Sequence, residues 1–345
     1  MRLTLPMKTS EEIDVIDVSE AETYEYFVCG LRLRSNVFFP LVSLPLRTES
    51  SPDVEFTLKP AGLPATSLFH VESVLGSIRN GAGIPSIAVS RVEKGYLLDC
   101  KNGSKAACFF LSGDCRKIEC YPEEGMTRQD IECWLFGLVL AFVLQKRGIF
   151  SLHGAAVECF GRAVGFLGSN GFGKSTLAFF FLRQGHQLVT DDVLALVEEE
   201  ARFKVLPACP SMNLWPNTLT ELGDEDLDIP SQEARTMKSR LSLRDSESAF
   251  CSSEVPLERL YLLNPMQAGS VDERVHISRI PSSSAVLELF RHTRVGSILG
   301  VGDQKRLLQT FARLVSIVPV CKLRYPAGFE KFPAIYDAVL QDIAA

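Results

Sequence analysis

The chain has 345 residues and a mass of 38.1 kDa, enough to bury about 75% of its unfolded surface and to form two domains. A composition of 46% hydrophobic and 23% charged residues is typical of a globular protein. The net charge of −6 argues against broad binding to nucleic acid or to an anionic membrane surface. The longest apolar run, residues 134–144, is too short to cross a bilayer.

The ten cysteines contain no Cys-x-x-Cys pair, and the histidines do not supply zinc-finger spacing. Several, such as Cys29 and Cys133, lie inside apolar runs. This usage indicates reduced, mostly buried thiols in a cytoplasmic protein. No signal peptide is expected, because residues 11–20 are acidic where an apolar segment would be required.

The first part of the chain has β-type composition. Short apolar runs separated by turn signals such as Asn102-Gly103 predict an antiparallel sheet or small barrel. The predicted strands cover residues 24–29, 31–39, 54–58, 87–90, 95–99, 107–111 and 117–121. We therefore divide the chain into a β-rich domain, 1–125, and a catalytic domain, 126–345. The first domain either packs against the second or recognises substrate, with an exposed sheet edge accepting an extended peptide.

A buried helix is predicted next. Thr127 and Asp130 resemble a capping box, and the helix is expected to reach Lys146 and stop at Gly148. Its run from 134 to 144 is almost wholly apolar, which favours burial. The helix either connects the two domains or forms a seam between copies, so homo-oligomer formation stays open.

A glycine-rich loop is the most specific motif of the chain. It matches G-x-x-x-x-G-K-[ST] and lies between an apolar strand, 163–167, and a helix, 175–183. Glycines let the backbone N–H groups surround phosphate oxygens, and the helix N-terminus adds its positive end. The lysine can reach the β- and γ-phosphates and the following serine can ligate Mg²⁺. The predicted nucleotide-binding residues are Gly168, Ser169, Asn170, Gly171, Phe172, Gly173, Lys174, Ser175 and Thr176.

Two carboxylates follow the loop after one helix and one strand. Asp191 and Asp192 end the apolar segment that begins at Gln187, and apolar residues continue after them. Carboxylates at such a strand end face the phosphates, where they can hold a metal ion or accept a proton from an attacking hydroxyl. A solvated pair of turn aspartates is the alternative.

One histidine lies shortly before the loop. His153 lies in the apolar stretch that leads to a hairpin-like turn at 160–162. An imidazole titrates near neutrality and can transfer protons. A structural histidine is the alternative at such a position.

A polar stretch, 221–253, is either a solvated loop or a lid that places cations over the transferred phosphoryl group. Lys238 and Arg240 are its candidate catalytic cations. Helical patterning follows at 283–289, 304–315 and 332–343.

The motifs together resemble the HPr kinase/phosphorylase family. The carrying residues are His153-Gly, the glycine-rich loop and the stretch Arg183-Gln-Gly-His-Gln-Leu-Val-Thr-Asp-Asp192. Later motifs are similar to a divergent branch that includes kinases of lasso-peptide gene clusters. These later motifs are less specific than the glycine-rich loop. They are Asn213-Leu-Trp-Pro216, Lys238-Ser-Arg240-Leu-Ser-Leu243, Val255-Pro-Leu257 and Val318-Pro-Val-Cys-Lys-Leu-Arg-Tyr-Pro326.

The resemblance implies an α/β fold: a P-loop core of the HPr kinase type with an N-terminal, mainly β domain. It implies that residues 168–176 hold ATP phosphates, that Ser175 and Asp192 lie at Mg²⁺, that Asp191 is the base and that His153 lies beside the acceptor hydroxyl. The glycine-rich, arginine-bearing signature of HPr kinases is not recognisable here. HPr itself as substrate and the reverse phosphorylase reaction therefore stay open.

The sequence thus predicts an ATP- and Mg²⁺-dependent kinase acting on a serine of a peptide or protein, with a lasso-peptide precursor as the most specific acceptor. Neither nucleic acid nor membrane is an expected partner. Three alternatives stay open: a kinase of a small molecule such as free serine, a non-catalytic nucleotide-binding regulator, and a nucleotide-dependent carboxykinase.

Overall fold

The computed structural model describes residues 23–40, 51–63, 68–79, 85–223, 238–244, 246, 248–267 and 272–344. The predicted site residues all fall within these ranges. Residues 224–237, 245 and 247 of the predicted lid lie outside the described residues.

The described chain is mixed α/β and forms two compact units, so the predicted α/β class is confirmed. One unit contains the described part of Glu12–Phe150 together with Arg294–Leu307. The other contains the described parts of Ser151–Thr293 and Leu308–Ala345.

One eight-stranded sheet forms the core of the N-terminal unit, as its β-type composition predicts. Its order is β1-β2-β3-β8-β7-β6-β5-β4, with β3 parallel to both neighbours and the other pairs antiparallel. The strands are β1 (Tyr24–Val28), β2 (Leu31–Ser35), β3 (Val54–Leu58), β4 (Val71–Arg79), β5 (Pro85–Val92), β6 (Gly95–Asn102), β7 (Lys105–Ser112) and β8 (Lys117–Pro122).

Three details of this sheet differ from the sequence expectation. The sheet is mixed and not antiparallel throughout, because β3 pairs in parallel with both β2 and β8. The strand predicted over 31–39 ends at Ser35, because the Ser35 hydroxyl accepts the N–H of Val37 at 2.9 Å and bends the chain. β4 was not predicted, because the first four of its nine residues are exposed and the strand lacks an apolar–polar alternation.

The predicted helix begins at Arg128 with the capping box confirmed: the Thr127 hydroxyl accepts the Asp130 N–H at 3.2 Å, and the Thr127 N–H donates to Asp130 Oδ2 at 3.0 Å. It consists of α1 (Arg128–Trp134), a π-helical segment (Leu135–Val139) and α2 (Leu140–Lys146).

This helical stretch belongs to the N-terminal unit, which therefore extends beyond residue 125 to Phe150. The physical reason is aromatic packing: Phe136 meets Phe39 edge-on at 5.2 Å, and Phe142 meets Tyr96 at 5.2 Å. A substrate-recognising role for residues 1–125 stays a prediction.

The second unit is built on a sheet ordered β10-β9-β12-β13-β16-β18-β17, with β11 paired to β9 and β10 paired also to β16. A separate two-stranded sheet joins β14 to β15. The strands are β9 (Phe150–Cys159), β10 (Arg162–Leu167), β11 (Gln187–Thr190), β12 (Val193–Glu199), β13 (Arg202–Leu206), β14 (Ser211–Leu214), β15 (Ser239–Ser242), β16 (Val255–Pro265), β17 (His276–Arg279) and β18 (Val320–Tyr325).

Five more helices complete the described chain. They are α3 (Lys174–Arg183), α4 (Pro216–Leu222), α5 (Ser282–Arg291), α6 (Val301–Ile317) and α7 (Phe332–Ala344), with 3-10 turns at Gly296–Ile298 and Phe329–Lys331. The helices predicted at 283–289, 304–315 and 332–343 correspond to α5, α6 and α7. α4 was not predicted.

Parallel pairing places the site at one edge of this sheet. β16 runs parallel to both β10 and β18, so the carboxyl ends of these three strands share an edge. Buried side chains of β10, β16 and α3, among them Phe166, Tyr261 and Phe181, hold the strands against the helix. The glycine-rich loop follows β10 and therefore leaves the sheet at this edge.

Eight of the ten cysteines are buried and no disulfide joins any of them; Cys133, by contrast, is exposed and Cys209 is intermediate. None of the helices in the described ranges is long and apolar enough to span a membrane.

Candidate functional site

The glycine-rich loop runs from the end of β10 at Leu167 to the start of α3 at Lys174, as predicted. Gly173 precedes the helix with φ +83°, a left-handed conformation that a side chain would strain. At Gly168, a Cβ atom would lie 3.2 Å from Cβ of Leu263 on β16. Both glycines are therefore required by the backbone path.

Hydrogen bonds within the loop, and one from β18, hold the loop in shape. Lys174 is 8% exposed, and its ammonium donates to the carbonyl oxygens of Gly168 at 2.8 Å and Ser169 at 3.3 Å. The Tyr325 hydroxyl at the end of β18 donates to the Phe172 carbonyl at 2.6 Å. The Lys174 ammonium thus lies inside the glycine-rich loop, where it would neutralise the charge of a bound phosphate.

Asp191 lies directly after β11 and contacts the residue that follows the loop lysine. Ser175 Oγ donates to Asp191 Oδ1 at 2.8 Å, and the Asn213 N–H donates to Asp191 Oδ2 at 3.0 Å. The side chain retains partial solvent exposure, yet the protein packed around its carboxylate raises its pKa, with the Asp192 charge adding to the rise. The two hydrogen bonds and the Lys238 charge oppose that rise.

Asp192 and His153 form a second pair next to it. Asp192 has φ +80°, uncommon for a residue with a side chain, and its Oδ1 lies 3.2 Å from His153 Nδ1. His153 Nε2 lies 3.1 Å from Oδ1 of Asn170 in the loop. The imidazole therefore bridges the carboxylate pair and the glycine-rich loop, both of which the sequence assigned to the site.

The predicted lid cations reach the site through the β14–β15 pair. Asn213 lies opposite Arg240 and Leu214 opposite Ser239 in this antiparallel register. The Arg240 guanidinium donates to Ser211 Oγ at 3.3 Å. The Lys238 ammonium lies 5.9 Å from the ring centroid of Trp215 and is close enough to Asp191 to act on its pKa.

A hydroxyl pair connects α4 to the loop helix. Thr176 Oγ1 lies 3.1 Å from Thr218 Oγ1, and the Thr218 side chain is buried. Because Thr176 is the second residue after the loop lysine, this contact fixes α4 and the end of β14 relative to the loop.

Sequence reasoning assigned no individual role to several residues that the structure places here. Asn213 and Tyr325 act through a backbone N–H and a phenol that only long-range pairing brings to the loop. His292 follows α5, and its carbonyl accepts the His153 N–H at 2.6 Å. Burial lowers the His292 pKa; the Glu288 charge opposes this shift and the Lys174 charge adds to it. No local pattern indicated these contacts.

The donor set fits a nucleotide phosphate with a hard divalent cation. Ser175 Oγ and the Asp191 carboxylate together offer the oxygen ligands that Mg²⁺ prefers, and Asp192 lies in the adjoining position. No group of three or more His, Cys, Asp or Glu side chains is arranged to hold a metal within the described ranges. A cation here would therefore depend on phosphate oxygens for part of its coordination, as Mg²⁺ does with nucleotides.

A glycine-rich loop between strand and helix, with a nearby carboxylate bonded to the hydroxyl after the loop lysine, is the arrangement of P-loop nucleotide-binding proteins. Over 46 residues the chain is 39% identical to an HPr kinase/phosphorylase of Lachnoclostridium phytofermentans. The match covers 13% of this chain and 15% of the relative's length. The chain is HPr-kinase-like over this stretch.

Among solved structures, the HPr(Ser) kinase/phosphatase from Coxiella burnetii aligns with 55% of this chain and 97% of its own, at 13% identity and a TM-score of 0.30. No family model matches the chain. The narrower resemblance to kinases of lasso-peptide clusters stays a prediction.

Proposed function

We propose that the chain is an ATP- and Mg²⁺-dependent kinase that transfers the γ-phosphoryl group to a serine hydroxyl of a peptide or protein. One observation carries the proposal. The Asp191 carboxylate is bonded to Ser175 at the start of the loop helix and has a raised pKa, so a proton acceptor adjoins the phosphate cradle.

The loop residues, 168–176, would bind the phosphates. Their backbone N–H groups and the N-terminus of α3 supply positive ends, and the Lys174 ammonium neutralises phosphate charge. Mg²⁺, when bound at Ser175 and Asp192, would neutralise charge on the β- and γ-phosphate oxygens. Since Asp191 also touches Ser175, the separation of roles between the two carboxylates is part of the proposal.

Asp191 would act as general base. As the acceptor oxygen forms its bond to the γ-phosphorus and the bond to the leaving oxygen of ADP breaks, the hydroxyl proton passes to the Asp191 carboxylate. The raised pKa makes this carboxylate a better acceptor near neutrality than an ordinary aspartate. This feature supports a catalytic role over that of a nucleotide-binding regulator.

His153 and the two cations would orient the reacting groups. His153 contacts both Asp192 and Asn170, so it can hold the carboxylate pair against the loop beside the acceptor hydroxyl. Lys238 and Arg240 lie on or beside β15, where they would stabilise charge that develops on the transferred group.

The acceptor class is the finer part of the proposal. The sequence resemblance supports a serine on a peptide or protein, with a lasso-peptide precursor as the most specific candidate, in a cytoplasmic setting. A kinase of free serine is the alternative acceptor class.

The test uses the full chain with Mg²⁺ and γ-labelled ATP, offered a serine-containing peptide mixture and free serine in parallel. We expect label on peptide serine, located by mass spectrometry, and transfer slowed by roughly 10²-fold or more in Asp191→Asn. Label on free serine alone would show that the acceptor is a small molecule and not a peptide or protein. Absence of both nucleotide binding and transfer would refute the kinase.

A further inference from the structure

One aromatic residue, two positions after the Asn213 that donates to Asp191, is more exposed than its neighbours in the chain. Trp215 is 44% exposed, whereas its neighbours Leu214 and Leu219 are each 1% exposed. Exposure of so large an apolar side chain costs burial energy that folding would otherwise gain. Tryptophan exposed next to a site is a common feature of recognition surfaces.

The backbone under Trp215 is held rigidly relative to the base. Asn213, two residues earlier, donates its N–H to Asp191, and Thr218, three residues later, pairs with Thr176 of the loop helix. Trp215 precedes Pro216, the first residue of α4, and makes no side-chain cap contact with that helix. The backbone on both sides of Trp215 is therefore fixed, and its 44% exposure leaves part of the indole surface open to a ligand.

A cation defines one side of the indole. The Lys238 ammonium lies 5.9 Å from the ring centroid, within the range of a cation–π contact, and its charge also acts on Asp191. Lys238 therefore lies near both the Trp215 indole and the carboxylate that would receive the acceptor's proton. The two oxygens of the Asp191 carboxylate have different partners. Ser175, next to the loop lysine, donates to Oδ1, and the Asn213 N–H donates to Oδ2.

We propose that Trp215 is the acceptor-specificity residue of the site, and that its indole binds an apolar side chain adjoining the phosphorylated serine of a peptide. This inference rests on the proposed kinase function. It assigns the acceptor to peptides rather than to free serine, which has no neighbouring side chain to place on the indole.

The spacing fits an extended peptide. From Asn213 to Trp215 the extended backbone advances by about 7 Å, since a strand rises about 3.3 Å per residue. An extended peptide whose serine reaches Asp191 carries the side chains one and two residues away across a similar span. The side chain near the indole would be selected for apolar surface, because burying it there removes two apolar surfaces from water.

The experiment compares two synthetic serine peptides of equal length, one with leucine and one with glycine on both sides of the serine. We expect wild type to favour the leucine peptide by about tenfold or more in kcat/KM, the scale of a single apolar pocket contact. Trp215→Ala should reduce that preference to about twofold or less, while Trp215→Phe retains most of it. Leu287→Ala, which removes a side chain that is 58% exposed on α5, is the matched control and should keep the preference.

A fluorescence measurement locates the contact independently. The chain has two tryptophans, so Trp134→Phe leaves Trp215 as the single reporter. With a non-hydrolysable ATP analogue already bound, addition of the leucine peptide should change the emission, and free serine should not.

Three results would overturn the inference: no preference in wild type, an unchanged preference in Trp215→Ala, or an emission change caused by the nucleotide and not by the peptide. If ATP binds and is turned over in any of these cases, only the inference fails. If neither nucleotide binding nor transfer occurs, the proposed function fails with it.

Discussion

Asparagine in place of Asp191 tests the base while preserving its surroundings. The Asn213 N–H, now 3.0 Å from Asp191 Oδ2, can donate to the asparagine carbonyl, and the amide can donate to Ser175 Oγ, now 2.8 Å away. What disappears is the capacity to accept the acceptor's proton. We therefore expect kcat to fall by roughly 10²-fold or more, the usual contribution of a general base. This corresponds to about 2.7 kcal/mol of lost transition-state stabilisation.

The variant should not be less stable than wild type. Burial raises the Asp191 pKa, so ionisation of this carboxyl disfavours the folded chain. Its stabilising contribution is complete below the unfolded pKa and is lost as pH rises through the folded pKa. At neutral pH a neutral asparagine avoids that loss, and the Tm of Asp191→Asn should equal or exceed that of wild type.

The assay is a pH profile of kcat/KM for wild type, with nucleotide affinity measured by calorimetry for both proteins. Because the ionised carboxylate is the active form, wild-type activity should fall as pH decreases through a pKa above that of an ordinary aspartate. Asp191→Asn should bind Mg²⁺-ATP and lack this acid limb. Turnover of the asparagine variant at the wild-type rate, with the limb intact, would refute the assignment of the base.

Four further substitutions test the rest of the site. Lys174→Ala removes the ammonium inside the loop and should lower kcat/KM by roughly 10²–10³-fold in steady-state kinetics, with circular dichroism as the control for folding. Lys238→Ala and Arg240→Ala should lower kcat more than they weaken ATP binding, measured by calorimetry, because their charges act mainly on the transition state. Unchanged kinetics in both variants would show that this stretch is a solvated loop with no catalytic role. Asp192→Asn should raise the Mg²⁺ concentration needed for half-maximal rate, and an unaltered Mg²⁺ dependence would contradict a role at the metal.

The features that sequence predicted well are encoded locally. The capping box at Thr127 and the loop ending at Lys174 depend on residues within one turn or one motif. The hairpin turn predicted at 160–162 is formed by Phe160 and Gly161, which both have positive φ, between antiparallel β9 and β10. In each case the signal lies in adjacent residues, although Tyr325 and Leu263 add long-range contacts to the glycine-rich loop.

The contacts that complete the candidate site are long-range, which is why no local pattern revealed them. The Asn213–Asp191 bond spans 22 residues and the Tyr325–Phe172 bond spans 153. The placement of Lys238 beside Trp215 follows from pairing between β14 and β15. Sequence named the cations of the lid as candidates, but the strand register that brings Lys238 near Asp191 and Arg240 to Ser211 depends on tertiary structure.

The π-helical segment inside the buried helix shows a different limit of prediction from sequence. An almost wholly apolar run predicts burial and helix, and the segment from Arg128 to Lys146 is both. The π-helical turns at Leu135–Val139 have no distinguishing residue pattern. They accompany packing of Phe136 against Phe39, a contact across 97 residues of chain (136 minus 39).

A structure of the full chain crystallised with Mg²⁺ and a non-hydrolysable ATP analogue tests the central claim most directly. The account predicts phosphates inside residues 168–176, Lys174 on the β- and γ-phosphates, a cation on Ser175 Oγ and the Asp191 carboxylate directed at the γ-phosphate. It would be contradicted if the analogue did not occupy the loop at saturating concentration, or if it bound with the Asp191 carboxylate turned away from the γ-phosphate.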